Sequence, residues 1–71
     1  MEKFFTISQT AKMVDMTTET LRHYDRINLV KPSKTDELTG YRYYSVQEVV
    51  RLNTIKALQC MDLTLAEIKE I

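Results

Sequence analysis

Apolar residues recur at helical spacing in three separate stretches of this chain of 71 residues, and the same polar signal precedes each stretch. Thr6, Ser45 and Thr64 are followed three residues later by Gln9, Glu48 and Glu67. A hydroxyl and a carboxamide or carboxylate at that spacing satisfy two orphan backbone N–H groups reciprocally, which marks a helix start. Behind the first box lie Ile7, Ala11 and Val14; behind the second, Val49, Leu52, Ile55 and Leu58; behind the third, Leu65, Ile68 and Ile71. Each set keeps the i, i+3 or i+4 period of one buried face. The sequence stops before the third of these helices can close, so it reads as cut from a longer chain.

A fourth helix is predicted between the first two boxes. Thr17 is a suitable N-cap, Glu19 puts a negative charge in the first turn where the helix dipole favours it, and the helix runs from Thr18 to about Arg26. At 100° per residue Leu21 and Tyr24 face one way, while Thr18, Glu19, Arg22 and His23 face the other. Asn28 tolerates the left-handed conformation that ends such a helix, and Pro32 prevents its resumption. Only about three residues around Asp15 and Met16 separate this helix from the one before it. Two short helices so tightly joined form the helix-turn-helix pattern.

Residues 31–44 show no helical period. The polar turn TDELTG followed by the β-favouring YRYY predicts a hairpin with Gly40, the only glycine, in its loop. Alternation places Tyr41 and Tyr43 on one face and Arg42 and Tyr44 on the other. An isolated hairpin is marginal in water, so one face must pack on the helices. The face carrying Arg42 is then expected to project as a wing, with its guanidinium forking onto phosphate oxygens. The competing arrangement spends all three tyrosines on the core and pairs Arg42 with Asp36 or Glu37.

Composition narrows the function classes. A chain that is 44% hydrophobic and 28% charged is ordinary for a folded soluble domain. No apolar run approaches the roughly 20 residues of a membrane helix, and the first ten residues are too polar for a signal peptide. A cytoplasmic protein with no membrane partner is expected. Cys60 is alone, and neither it nor His23 stands at metal-ligand spacing from other candidates, so no metal site is expected and Cys60 reads as a small buried apolar residue. The sequence has no glycine-rich phosphate loop and no nucleophile elbow. His23 and Asp25 lie too close along one helix to face each other as a catalytic pair, so neither an enzyme nor a cofactor is expected. Formal net charge is zero, yet cations prevail up to Lys56 and acids after it, so any basic patch is local.

The strings TLRHYDRINLVKPSK and TGYRYYS, preceded by FTISQTAKMV and followed by EVVRLNTIKALQ and LTLAEIKEI, resemble the N-terminal domain of MerR-family transcription regulators over essentially the whole chain. Thr20, Leu21, Arg22 and Tyr24 match the TLRYYE element of that family, Gly40 to Tyr44 its G-Y-R-Y-Y element, and Leu65, Glu67 and Ile68 its final SLEEI-like segment. His23 stands where the family usually has Tyr or Phe, and Met61 and Asp62 where it has a glycine and an aromatic. The cysteines of metal-sensing members lie beyond Ile71, and Cys60 does not match them.

The resemblance implies a mainly α, winged helix-turn-helix domain over residues 1–71, with about four helices and a small two-stranded β wing. It also implies a homodimer in the full-length regulator, joined by a long helix after residue 71 and followed by an effector domain. Such a dimer distorts double-stranded promoter DNA and acts on RNA polymerase indirectly. The residues expected at the DNA are Thr17, Thr18, Arg22, His23 and Tyr24 on the second helix and its cap, with Gly40, Tyr41, Arg42 and Tyr43 on the wing. Tyr24 points to the core on the helical wheel, so its hydroxyl alone is expected to reach a phosphate. Two other functions fit the same residues: an excisionase-like architectural DNA-binding protein, and a protein interaction module using an apolar strip near Ile68 and Ile71.

Overall fold

The structure is a computed structural model and describes residues 3–70. Along the chain run β1 (Phe5–Thr6), α1 (Ile7–Met13), α2 (Thr18–Arg26), β2 (Lys34–Thr35), β3 (Arg42–Tyr44), α3 (Val46–Cys60) and α4 (Leu65–Lys69). All three predicted capping boxes form. Thr6 N donates to Gln9 Oε1 at 2.9 Å while Gln9 N donates to Thr6 Oγ1 at 3.2 Å, and Thr64 with Glu67 repeats the exchange at 3.1 and 3.2 Å. At the start of α3, Glu48 Oε1 accepts from both Ser45 N (2.7 Å) and Ser45 Oγ (2.8 Å). Thr17 caps α2 by accepting from Thr20 N at 3.1 Å. The bonds from the Thr64 backbone, and then its side chain, hold the Glu67 carboxyl below the usual carboxylate range.

The helix ends share a second device. Asp15, Asn28 and Asp62 have φ of 56°, 60° and 64°, each just past the last turn of α1, α2 or α3. In each case the next amide reaches back five residues: Met16 N to Ala11 O, Leu29 N to Tyr24 O, and Leu63 N to Leu58 O. The left-handed residue lets the chain turn sharply while orphan carbonyls are satisfied, and an apolar residue follows it onto the helix. Leu29 is buried, and Met16 and Leu63 pack against the core. Asp62, not Met61, occupies the left-handed position that favours glycine, which corrects the register read from the sequence.

The sheet holds one strand more than the predicted hairpin. Its order is β1-β3-β2, all antiparallel, with Phe5 opposite Tyr44, Tyr43 between Thr6 on one side and Lys34 on the other, and Thr35 opposite Arg42. Directly paired residues share a face. One face therefore carries Phe5, Tyr44 and Arg42, and the other Thr6, Tyr43 and Lys34. Tyr44 is 0% exposed and joins Ala11, Val14, Leu21, Tyr24, Leu52, Ile55 and Ile68 in a single core, against which Phe5 also packs. The α3 stripe supplies Val49, Leu52 and Ile55 to that core, with Leu58 half-buried beside them. Two α3 cations lock the helix-turn-helix onto α3: Lys56 Nζ donates to Val14 O (3.3 Å) and Arg51 Nε to Leu29 O (3.2 Å).

Two further expectations are revised. Cys60 is exposed rather than buried, because it lies in the final turn of α3 between exposed Gln59 and Met61. In the apolar strip of α4, Ile68 is buried and Leu65 half-buried, while Ile71 lies outside the described residues. Among the described residues, no helix is long and apolar enough to cross a membrane.

Candidate nucleic-acid interface

The outward side of α2 follows from its cap and period. With Leu21 and Tyr24 drawn into the core, Glu19 and His23 are exposed and Thr18 and Arg22 half-exposed on the opposite side. Arg22 Nη1 lies 3.1 Å from Glu19 Oε1, one turn earlier. An exposed pair of this kind contributes little stability and leaves the guanidinium available. Thr17 is exposed beside them, its hydroxyl engaged with the N-terminal turn of the helix and with Thr20 Oγ1 at 2.9 Å.

Tyr24 is placed differently from the other helix candidates. Its ring is buried, and its hydroxyl donates to Gln59 Oε1 of α3 at 3.4 Å, which turns it away from the outer side of α2. Burial pushes its phenol above the ordinary value, with the Gln59 bond acting in the opposite direction. In this arrangement Tyr24 braces α2 against α3.

The wing loop is built by one side chain and one glycine. Asp36 Oδ1 accepts from Leu38 N (2.9 Å) and Thr39 N (3.3 Å), and Gly40 N closes onto Asp36 O at 2.7 Å. Gly40 has φ +75°, a conformation that strains any residue with a Cβ, although the space around it is open. Leu38 at the tip is 97% exposed and Tyr41 65% exposed, while Tyr43 is half-buried in the central strand.

Arg42 departs from both arrangements weighed for it. It shares its face with buried Tyr44 instead of projecting freely, and its partner is neither Asp36 nor Glu37. Its Nε lies 3.2 Å from Asp25 Oδ2 in the last turn of α2, and the other oxygen of Asp25 meets Lys31 Nζ at 3.4 Å. The face of Arg42 runs past the edge of the core and over α2, so the guanidinium ends up between helix and wing. The signal that could have located this contact was the alternation itself, which ties Arg42 to the side of whichever tyrosine is buried.

A cleft of about 400 Å³ opens between α2 and the wing, lined by Thr6, Ile7, Ser8, Arg22, Gly40, Tyr41 and Arg42. A neighbouring one, lined by Asp25, Lys31, Pro32, Thr35, Gly40 and Arg42, continues it across the base of the hairpin. Arg22, Arg42 and Lys31 therefore follow one another along one side of the molecule. Thr6, Ile7 and Ser8 were not among the expected site residues; only the pairing of β1 with β3 brings them there. Among the described residues, no three His, Cys, Asp or Glu side chains gather as a metal site requires.

This arrangement of tight helical turn and sheet is one seen before. The sequence profile of MerR HTH family regulatory proteins matches residues 5–71. The chain belongs to the MerR family. Among its relatives is the transcriptional regulator BrlR of Pseudomonas aeruginosa, 41% identical over 66 residues, which cover 93% of this chain and 24% of BrlR. A MerR-family transcriptional regulator from Bacillus cereus superposes with a TM-score of 0.88 at 35% identity, covering 96% of this chain and 50% of that one. HiNmlR, a MerR-family regulator lacking the sensor domain and solved bound to promoter DNA, superposes at 0.83 with 25% identity, covering 96% of this chain and 51% of its own. This MerR-family chain thus spans about a quarter of the length of BrlR and half that of the two solved chains. Its relatives are transcriptional regulators, not enzymes.

Proposed function

We propose that this chain is the DNA-binding domain of a MerR-type regulator and binds double-stranded promoter DNA, with α2 in the major groove and the wing on the flanking backbone. The observation that carries this reading is the cleft shared by Arg22 of α2 and Arg42 of the wing, which sets the two cations on one side. A duplex can meet both at once. In this reading Thr18, Arg22 and His23 face base edges and nearby phosphates, with Thr17 at the groove entrance, and Gly40, Tyr41, Arg42 and Tyr43 approach the backbone. Tyr24 serves by bracing the recognition helix. The regulator names of the relatives favour this reading over an excisionase-like architectural protein.

In the complete regulator two copies pair, so that two such domains grip and distort promoter DNA in the cytoplasm and act on RNA polymerase through the DNA. The 71-residue chain alone supplies half of the paired contacts and binds weakly. Titration with random duplex DNA at low salt tests the reading, since a pure protein interaction module does not bind. Arg42→Ala weakens specific and random duplexes alike and lowers the slope of log affinity against log salt by about 1. An unchanged slope removes Arg42 from the interface. Arg22→Ala or Thr18→Ala instead changes which sequences a random pool yields, and a uniform loss across sequences shows that these residues only position the fold.

A further inference from the structure

Asp25 is an acid in an unfavourable place. It lies in the last turn of α2, where the helix dipole disfavours a negative charge, and beside a surface that on the reading above must approach phosphates. Yet its side chain is only 20% exposed and both oxygens are engaged, Oδ1 by Lys31 Nζ and Oδ2 by Arg42 Nε. Lys31 precedes β2 and Arg42 opens β3, so one carboxylate ties both legs of the hairpin to the recognition helix.

The atom that Arg42 uses is the informative detail. A guanidinium carries five donors on three nitrogens. Nε is held by Asp25, neither terminal nitrogen has a hydrogen-bond partner among the described residues, and the side chain stays 35% exposed. We propose that Asp25 is a positioning residue for DNA binding: it holds Arg42 by Nε and so presents the two terminal nitrogens as a fork for a backbone phosphate. The proposal rests on the DNA-binding reading and deepens it, because it assigns the orientation of the wing cation to an acid on the recognition helix.

Electrostatics and positioning predict opposite signs, which makes the test sharp. Asp25→Asn removes a negative charge near phosphates, so charge alone predicts tighter binding. Positioning predicts weaker binding of a short random-sequence duplex at low salt, by about 3- to 10-fold, with the salt slope lowered by about 1 as Arg42 leaves the backbone. In an Arg42→Ala background, Asp25→Asn then causes no further weakening. Tighter binding by Asp25→Asn, or a loss that adds fully to that of Arg42→Ala, overturns the proposal.

Circular dichroism checks that Asp25→Asn folds, and Arg42→Lys gives an independent arm if it does not. A lysine carries its donors on a single nitrogen, so it cannot be held by Asp25 at one atom and offer a fork of two others to the phosphate, and Arg42→Lys loses as much affinity as Asp25→Asn. Full retention by Arg42→Lys overturns the proposal. The wild-type and Arg42→Ala titrations separate the two levels. If the wild type binds no duplex, the DNA-binding reading fails and takes this one with it; if Arg42→Ala weakens binding while Asp25→Asn strengthens it, only the role of Asp25 is wrong.

Discussion

The stretch TGYRYYS sets three of the four tyrosines around one arginine, and each of the four residues has a different task. Tyr44 fills the core, Tyr43 sits in the middle of the sheet, Tyr41 stands out beside Gly40, and Arg42 crosses to α2. The hydroxyl of Tyr44 is buried and has no hydrogen-bond partner among the described residues. Burial raises its phenol above the ordinary value, reinforced by the nearby charge of Asp25 and opposed by Arg42. Deleting an unpartnered buried hydroxyl removes a desolvation cost and no bond. Tyr44→Phe is therefore expected to be neutral or to stabilise by up to about 1 kcal/mol, whereas Tyr24→Phe loses the bond to Gln59 and about 0.5–1 kcal/mol. Urea unfolding of the two variants decides it; a clear loss in Tyr44→Phe would mean that its hydroxyl is bonded after all. At this scale the sequence established which residues share a face. It could not tell which face packs, because that depends on Phe5 pairing with Tyr44 across forty residues of chain.

Helix starts were readable because each is local: a hydroxyl and its partner three residues on, visible at Thr6, Ser45 and Thr64 and borne out at each. Ends were harder. Asn28 was readable as a left-handed stop, but Asp15 and Asp62 use the same geometry with a residue type that as readily caps a helix start. The strand β1 escaped notice because two residues hold no period, and one of them, Thr6, is also the cap of α1. The left-handed turn after α3 gives a prediction at this scale. A residue with a Cβ is strained there, so Asp62→Gly relieves the turn and stabilises the chain by about 0.5–1 kcal/mol after the added freedom of the unfolded state is subtracted. Met61 has φ −95°, and Met61→Gly is expected to destabilise by a similar amount. Thermal unfolding of the pair gives opposite shifts in Tm. Shifts of the same sign would show that the turn does not control how α4 docks.

For the whole molecule, a net charge of zero proved a poor guide, because what matters is which cations the fold brings together. Arg22 and Arg42 are twenty positions apart in sequence and line one cleft, with Lys31 continuing along the same side. The helix-turn-helix and the wing were both legible, and so was their likeness to MerR regulators. Their angle was not, since it is set by β1 and by the Asp25 bridge, two long-range contacts that leave no periodic trace. On the proposed reading α2 and the wing grip one duplex together. It is tested most directly by following backbone amide NMR shifts as the chain is titrated with a duplex that it has itself selected from a random pool. Shifts are expected to concentrate on residues 17–23 of α2 and its cap and on residues 40–43 of the wing, while α4 stays still. Shifts confined to α3 and α4, with α2 and the wing unmoved, would contradict that reading.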